Sequence, residues 1–420
     1  MLQIEHCDSQ VVTNGYEPPF FERIPPEILL EILQFVVPPD ILFDHSDGFL
    51  GDSYVQAMRC AIVLVCQTWY SAGVAFLYEH PVLDKYHEAV SFRRTITSDP
   101  HLGGLIKHIE FTICPSDINE RDFQDIAGSI IRQDICCRMN RLSFSMPFNY
   151  GFSRNFFMPP STLHSTTSIT RLDLTIPLAV DAINALLKGP HAQLESLTIQ
   201  LHPRAGSVAR EPIPLEFPCL KFLRMIWPKG PSYSNTDVVE ELTSRWNMPN
   251  LSQLSLCPIS AENACSLIDL CLTHHHGLRF ICLEDLHCVV KNDGIITALG
   301  SIIKSCASLE HAVIPEVIYP LLSDFHHPTL ARLDLYSPPK YLGVTPYSRI
   351  SISDLDVPAL HQACPNLQYI RSISYDRPNI AELALATRAP LSASGPALET
   401  MRIWQWEDDS LNALWTIGWD

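Results

Sequence analysis

Hydrophobic residues recur along most of this chain in one pattern, apolar-x-x-apolar-x-apolar, in which x is any residue. Apolar residues at every second position predict a strand with one buried face. The first residues of the successive copies are Ile106, Met139, Ile169, Leu194, Leu220, Leu251, Leu278, Leu309, Leu330, Leu367 and Leu398. Because these copies start 21 to 37 residues apart, they indicate a repeat architecture in which every unit supplies one strand.

Several copies share a lead-in that contains proline. The segments are Phe217–Leu220, Met248–Leu251, Cys364–Leu367 and Gly395–Leu398, each with proline at its second position. Proline cannot continue a helix, and it restricts the residue before it to extended backbone. The lead-in therefore predicts the end of a helix and the start of a strand.

Between the strands, the apolar residues change to helical spacing. The clearest stripe is Ile295, Leu299, Ile302, Ile303 and Cys306; others are Val238, Val239, Leu242 and Trp246, and Phe123, Ile126, Ile130 and Ile131. One strand and one helix per unit resembles the leucine-rich repeat. The fold predicted for residues 91–420 is an irregular α/β solenoid, with parallel strands inside and helices outside.

The first ninety residues have a different pattern. Residues 1–18 are polar and without periodicity, which predicts a flexible leader. A helix is predicted to begin at Pro25-Pro26-Glu27, because proline is tolerated in a first helical turn and a carboxylate suits the positive end of the helix dipole. A second helical run is predicted from about Val55 to Ala75, with Met58, Ile62, Val65 and Trp69 on one face.

This order of features over residues 19–90 resembles the F-box family, of the fungal type. The resemblance is carried by Ile24-Pro25, Glu27-Ile28 and Ile32-Leu33 in the first helix, by Val65-Cys66-Gln67-Thr68-Trp69 in the last helix, and by the tail Ala75–Leu83. It implies a small helical domain that binds an Skp1-type adaptor and, through it, a cullin. The Skp1-binding residues that it implies are Ile24, Pro25, Glu27, Ile28, Ile32, Leu33, Val65, Cys66 and Trp69.

The resemblance implies the function of a substrate-recognition subunit in an SCF-type (Skp1–cullin–F-box) E3 ubiquitin ligase. The repeat domain would hold the client protein, whose identity no residue pattern reveals. One alternative is a leucine-rich-repeat scaffold that binds a partner without any ligase. In that case residues 19–90 are simply a helical cap on the repeat domain.

Composition limits the kinds of partner and the cellular compartment that we expect for this chain. The net charge is −17, and residues 1–100 hold 14 Asp and Glu against 5 Lys and Arg, which argues against nucleic acid as a partner. The longest apolar run, Ala61–Cys66, is far shorter than the roughly 20 residues of a membrane span. The 14 cysteines include no Cys-x-x-Cys pair, so we expect unpaired thiols in an intracellular, cytoplasmic or nuclear protein.

The sequence contains no signature of catalysis, cofactor binding or metal binding. Glycine-rich phosphate loops and the Gly-x-Ser-x-Gly elbow are absent. Neighbouring residues of His274–His276 would point about 100° apart on a helix and would not converge on one ion. Glu407–Asp409 is predicted to be a solvated acidic loop. We therefore expect a protein that is not an enzyme, with Trp404, Trp406, Trp415 and Trp419 either sealing the solenoid or binding a partner.

Overall fold

The computed structural model describes most of the helical N-terminal part of the chain and a long series of strands. The described residues are 24–36, 51–112, 120–131, 135–145, 168–178, 180–201, 214–226, 246–257, 273–274, 276–283, 300–315, 326–337, 357–374, 397–406 and 414–419. The predicted leader, residues 1–18, lies outside them. Residues 407–409 and His275 also lie outside.

Three helices form the N-terminal part: α1 (Pro26–Val36), α2 (Gly51–Val63) and α3 (Gln67–Glu79). They pack around the backbone of Gly73 in α3. A Cβ atom on Gly73 would lie 3.1 Å from the side chains of both Ile62 and Val63 and 3.9 Å from that of Leu33. A glycine at this point therefore lets the three helices approach closely, as glycine does at close backbone contacts.

The helical run predicted from Val55 to Ala75 is wrong in one respect, because it is two helices. The backbone N–H groups of Leu64 and Val65 bond to carbonyls three residues earlier, which tightens the end of α2. Cys66 is fully extended, with φ −164° and ψ 175°, and it precedes the first residue of α3. Val65 and Cys66 thus lie in the connection rather than in the last helix.

The strands of the remaining chain follow one another in sequence order. They are β1 (Val82–Leu83), β2 (His108–Thr112), β3 (Arg141–Ser145), β4 (Arg171–Leu178), β5 (Ser196–Leu201), β6 (Leu215–Glu216), β7 (Phe222–Ile226), β8 (Trp246–Asn247), β9 (Gln253–Cys257), β10 (Phe280–Leu283), β11 (His311–Pro315), β12 (Arg332–Ser337), β13 (Tyr369–Ser374), β14 (Ala397–Trp406) and β15 (Leu414–Trp419). All except β6 and β8, which pair with each other, form one thirteen-stranded sheet. Neighbouring strands of that sheet are parallel except β14 and β15, which confirms an α/β fold with a large parallel sheet and is consistent with a repeat solenoid.

The apolar positions of the pattern lie side by side across the sheet. Ile109 of β2 is aligned with Leu142, and the same row continues through Leu172, Leu197, Leu223, Leu254, Ile281, Ala312, Leu333 and Ile370. The last copy departs from it, because Ile370 is aligned with Leu398 and not with Met401. Leu398 lies inside β14, whereas Leu367 precedes its strand, so the pairing moves by three residues.

Helices of the repeat region are α4 (Tyr86–Ser98), α5 (Pro100–Gly103), α6 (Glu120–Ile130), α7 (Val180–Leu187) and α8 (Val357–Ala363), and residues 300–305 are also helical. Two predicted stripes are confirmed in their described parts, since Ile126, Ile130, Ile302 and Ile303 are buried. The third is wrong at Trp246, which lies in the short strand β8. Its other members, at positions 238, 239 and 242, lie outside the described residues.

A repeated backbone arrangement holds the edge at which the strands begin. The carbonyl oxygen of Lys107 accepts the N–H groups of Asn140 and Arg141, at 3.0 and 3.2 Å. The same shared acceptor recurs from repeat to repeat as far as Ala331, which accepts from Gln368 and Tyr369 at 2.9 and 3.1 Å. Each unit is therefore fixed to the one before it just ahead of the strand.

Candidate functional site

The first helix presents apolar side chains on two sides. Leu29 and Leu33 are buried, and they anchor α1 to the other two helices. Ile28 and Ile32, one turn apart, are 47% and 38% exposed, and Pro25 at the start of the helix is exposed too. Exposed isoleucines one turn apart leave a strip of α1 that the rest of the described chain does not cover.

The other residues implied by the F-box resemblance are spread over the surface and the core. Glu27 is exposed, and Ile24, Cys66 and Trp69 are half-buried. Val65 is 58% exposed, in the connection between α2 and α3. Leu33, which the resemblance implies as an Skp1-binding residue, is only 1% exposed, and its side chain lies beside the Gly73 backbone.

Two exposed apolar residues beside this connection were missed by sequence reasoning. Leu64 is 82% exposed and directly precedes Val65, and Tyr70 is exposed in the first turn of α3. Neither belongs to the predicted helix face of Met58, Ile62, Val65 and Trp69. The helix is interrupted at Cys66, which turns these residues outward. Neither proline nor glycine is present there to predict the interruption.

The second face of the large sheet carries polar residues in aligned rows. Side chains of a strand alternate between its two faces, so residues that flank the buried leucines share the other face. The row through the middle of the strands, called the central row here, consists of Glu110, Ser143, Asp173, Thr198, Arg224, Ser255, Cys282, Val313, Asp334 and Arg371. All of them are buried.

Asp173 is the acceptor at the centre of one cluster on this face. Its Oδ2 atom accepts from Arg141 Nε at 2.9 Å, from Ser143 Oγ at 3.2 Å and from Arg171 Nε at 3.2 Å. Burial by itself raises the pKa of Asp173, but the charges of Arg171 and Arg141 outweigh it and hold the pKa well below its ordinary value. Asp173 is therefore ionised at neutral pH, and its bonds to Arg141 and Ser143 tie β4 to the neighbouring strand β3.

Asp334 is the centre of a second cluster. It accepts from His311 Nε2 at 2.8 Å and from two nitrogens of Arg371, and the ring edge of Phe280 packs on His311. Burial raises the pKa of Asp334, whereas its bonds to His311 and Arg371 lower it, and the lowering is the larger effect. Both clusters match buried carboxylates with basic side chains, which fixes the alignment of neighbouring strands.

A third group of polar side chains lies where the helical part meets the sheet. His80 follows α3, and its ring stacks on the ring of His108 at a centroid distance of 3.8 Å. His80 Nε2 is also 3.7 Å from Glu110 Oε2. The sequence does not predict this group, because His80 and His108 belong to no shared motif.

A groove of about 720 Å³ runs along the starting ends of β7, β9, β10 and β11. Its wall carries two ion pairs, Lys221–Glu195 at 3.0 Å and Arg279–Glu310 at 3.6 Å. His311 of the Asp334 cluster also lines it. This alternation of exposed charges suits a polar, hydrogen-bonding partner better than an apolar one.

Of the histidine run at positions 274–276, the structure describes His274 and His276. His274 is half-buried, and burial lowers its pKa below the ordinary value. Among the described helices, none has both the length and the apolar character needed to cross a bilayer. The backbone of β15 closes the sheet antiparallel to β14, which places Trp415 and Trp419 on its last strand.

Comparisons with known proteins add little to this geometry. No family model matches the chain, and no curated protein matches it. A crystal structure of a protein from Bacteroides fragilis, a structural-genomics target, is similar over 76% of this chain and 75% of its own. The two share 13% sequence identity with a TM-score of 0.34, a likeness too low to support an argument about function.

Proposed function

We propose that this chain is an F-box-type substrate-recognition subunit of an SCF-type E3 ubiquitin ligase. In this function α1 and the α2–α3 connection bind an Skp1-type adaptor, and the adaptor brings the cullin. The observation that carries the proposal is the pair Ile28 and Ile32, which remain exposed although α1 is anchored by Leu29 and Leu33. An isolated cap would gain stability by burying those isoleucines, so their exposure favours a partner.

The connection between α2 and α3 supports the same proposal. Leu64 and Val65 are among the most exposed large apolar residues of the described chain. They follow α2 in a turn that no described side chain covers. Together with the strip on α1 they provide apolar area, and the exposed Glu27 provides a charged rim of the kind that surrounds apolar cores of interfaces.

The repeat region would hold the client. The groove along β7, β9, β10 and β11 offers the exposed pairs Lys221–Glu195 and Arg279–Glu310 to a polar segment. Recruitment accelerates ubiquitin transfer by proximity, because a bound client meets the ligase at high effective concentration. The chain itself then needs no catalytic residues, since the recruited ligase supplies the chemistry.

Binding of purified Skp1-type adaptor to the full-length chain tests the proposal. The change Ile28→Glu with Ile32→Glu keeps good helix formers at both positions but removes the apolar strip. We expect the wild-type chain to bind and the double variant to lose at least about tenfold in affinity, as expected when charges replace buried anchors. Glu31→Ala, an exposed change on the same helix, is the matched control and should bind normally.

Circular dichroism of the double variant should match wild type, because neither isoleucine is part of the core. Wild-type protein that fails to bind the adaptor would contradict the ligase proposal. If that protein still captures a partner through residues 91–420, the scaffold function takes its place. Adaptor binding that the double variant retains in full would contradict the assigned surface.

A further inference from the structure

The backbone around His80 is fixed from three directions. The carbonyl oxygens of Glu79 and Pro81 accept the N–H groups of Lys107 and Glu110, at 3.0 and 3.1 Å. The carbonyl oxygen of His80 itself accepts from a guanidinium nitrogen of Arg59 at 2.8 Å. His80 is thus held at one place against β2, although it comes from the end of α3.

Three possible ligand atoms meet at this place. His80, His108 and Glu110 are all buried, and one ligand atom from each lies within 4.8 Å of the others. Atoms bound to one tetrahedral zinc ion are about 3.3 Å apart, as follows from bonds of about 2.0 Å. The 3.7 Å between His80 Nε2 and Glu110 Oε2 is already close to that spacing.

Hydrogen bonds orient two of the three side chains, Glu110 and His108, as metal ligands are commonly oriented. Glu110 Oε1 accepts from Ser145 Oγ at 3.1 Å, which turns Oε2 toward His80. His108 Nε2 is 2.7 Å from Ser143 Oγ, whose own hydrogen goes to the carboxylate of Asp173. Ser143 therefore accepts from His108 Nε2–H, and in the neutral ring the lone pair is at Nδ1. Such outer partners fix the tautomer and direction of metal-binding histidines.

We propose that His80, His108 and Glu110 form a binding site for a divalent transition metal ion, with Zn²⁺ as the best match. Two imidazoles and one carboxylate are ligands that zinc prefers, and a water molecule completes four-coordination. The ion would neutralise the buried charge of Glu110. It would also join the helical part to the first long strand, so the site is structural and independent of adaptor binding.

Metal binding requires one change in the present geometry. An imidazole binds through a lone pair in the plane of its ring, so two rings that share an ion must be tilted against each other. The rings of His80 and His108 are now only 26° from parallel. Binding would swing one ring, expected to be His80, out of the stack toward Glu110.

Metal titration of the full-length chain tests this proposal. Protein stripped with a chelator is loaded with Zn²⁺ or Co²⁺ alone, desalted and measured for bound metal and for Co²⁺ absorption. We expect one equivalent per chain, visible Co²⁺ bands without thiolate charge-transfer absorption, and a higher unfolding temperature with Zn²⁺. The absorption spectrum distinguishes Co²⁺ bound at this site from Co²⁺ bound by any of the chain's 14 cysteines.

Variants decide whether these three residues hold the ion. Glu110→Gln keeps the size of the side chain and its bond to Ser145, and it should weaken Zn²⁺ binding by more than about tenfold, because even the loss of a residue that only orients a ligand costs about 10–100-fold. His108→Gln should do the same, and if it fails to fold, Glu110→Gln still gives the answer. His87→Ala, an exposed histidine on α4, should bind like wild type. No stoichiometric metal in wild type, thiolate bands, or undiminished binding by Glu110→Gln would overturn the proposal.

Discussion

Asp334 and Arg371 face each other directly across β12 and β13, although 37 residues separate them in the chain. Arg371 Nε donates to Oδ1 at 2.9 Å and Nη2 donates to Oδ2 at 2.7 Å, with both side chains almost completely buried. This two-point bond fits only one alignment of the two strands. The pair therefore specifies the strand register as well as contributing to stability.

Removing the basic partner should be costly. Arg371→Met leaves Asp334 buried without its arginine partner, so we expect the free energy of unfolding to fall by about 3–5 kcal/mol. Arg279→Met is the matched control, because Arg279 is 68% exposed and its ion pair with Glu310 is long, at 3.6 Å. It should lose about 1 kcal/mol or less. Urea titrations compare the two, and equal losses would contradict a special role for the buried pair.

Acid should weaken the fold through the same carboxylates. The pKa values of Asp334 and Asp173 are lowered in the folded chain, so the unfolded chain binds their protons more readily. The pKa of aspartate in an unfolded chain is about 4. Well above this pH the two carboxylates contribute their full stability, and the contribution is lost as the pH falls below about 4 toward their lowered pKa values in the folded chain. Unfolding followed from pH 6 to pH 3 should show a weaker pH dependence in Asp173→Asn than in wild type. Identical slopes in the variant and in wild type would contradict this assignment.

The aligned leucines should show how far repeats depend on their neighbours. Leu254 and Leu283 are fully buried in adjacent strands, and Leu→Ala at either should lower the free energy of unfolding by about 2–5 kcal/mol. In Leu254→Ala, hydrogen exchange should quicken most in β7, β9 and β10 and least in β2, because repeat units are stabilised by their neighbours. A uniform increase along the sheet would argue against the repeat character.

Two neighbouring glycines offer a test of packing at the end of α5. A Cβ atom on Gly103 would collide with the carbonyl oxygen of Ile135, whereas one on Gly104 would lie 3.3 Å from the carbonyl oxygen of His101. We expect Gly103→Ala to destabilise the chain by about 1–3 kcal/mol, as overpacking does. Gly104→Ala should lose clearly less, which thermal unfolding would measure. A larger loss in Gly104→Ala than in Gly103→Ala would show that Gly103 packs less tightly against Ile135 than it does in the structure.

Much of the sheet could be predicted because its signal is repeated. Leu142, Leu197 and Leu333 stand at the same place in their copies, and each is aligned with its neighbours as expected. The short strands β6 and β8 carry no such pattern, because two residues are too few for an alternation. The register of β14 also escaped prediction, because the observed pairing aligns Leu398 with Ile370 but Thr400 with Ser372 and so does not follow the apolar pattern.

The polar features were harder to predict for a physical reason. Glu110, Asp173 and Asp334 occupy equivalent places of different repeats, but their partners vary from serine to arginine and histidine. Such pairs become visible only when the register of the sheet is known. The exposed strip on α1 was predicted in part: the F-box resemblance names Ile28, Ile32 and Leu33 together, and only the packing separates the two exposed isoleucines from the buried leucine.

The shared carbonyl acceptors at the starting edge of the sheet also bear on how such a chain can diversify. Leu309 and Leu330 are 21 residues apart and Leu330 and Leu367 are 37 apart, yet both junctions keep the same pair of N–H bonds. Because the next strand is fixed locally at its first residues, the segment between strands can lengthen or shorten without shifting the pairing. Insertions and deletions between strands can therefore be accommodated one repeat at a time, without disturbing the sheet.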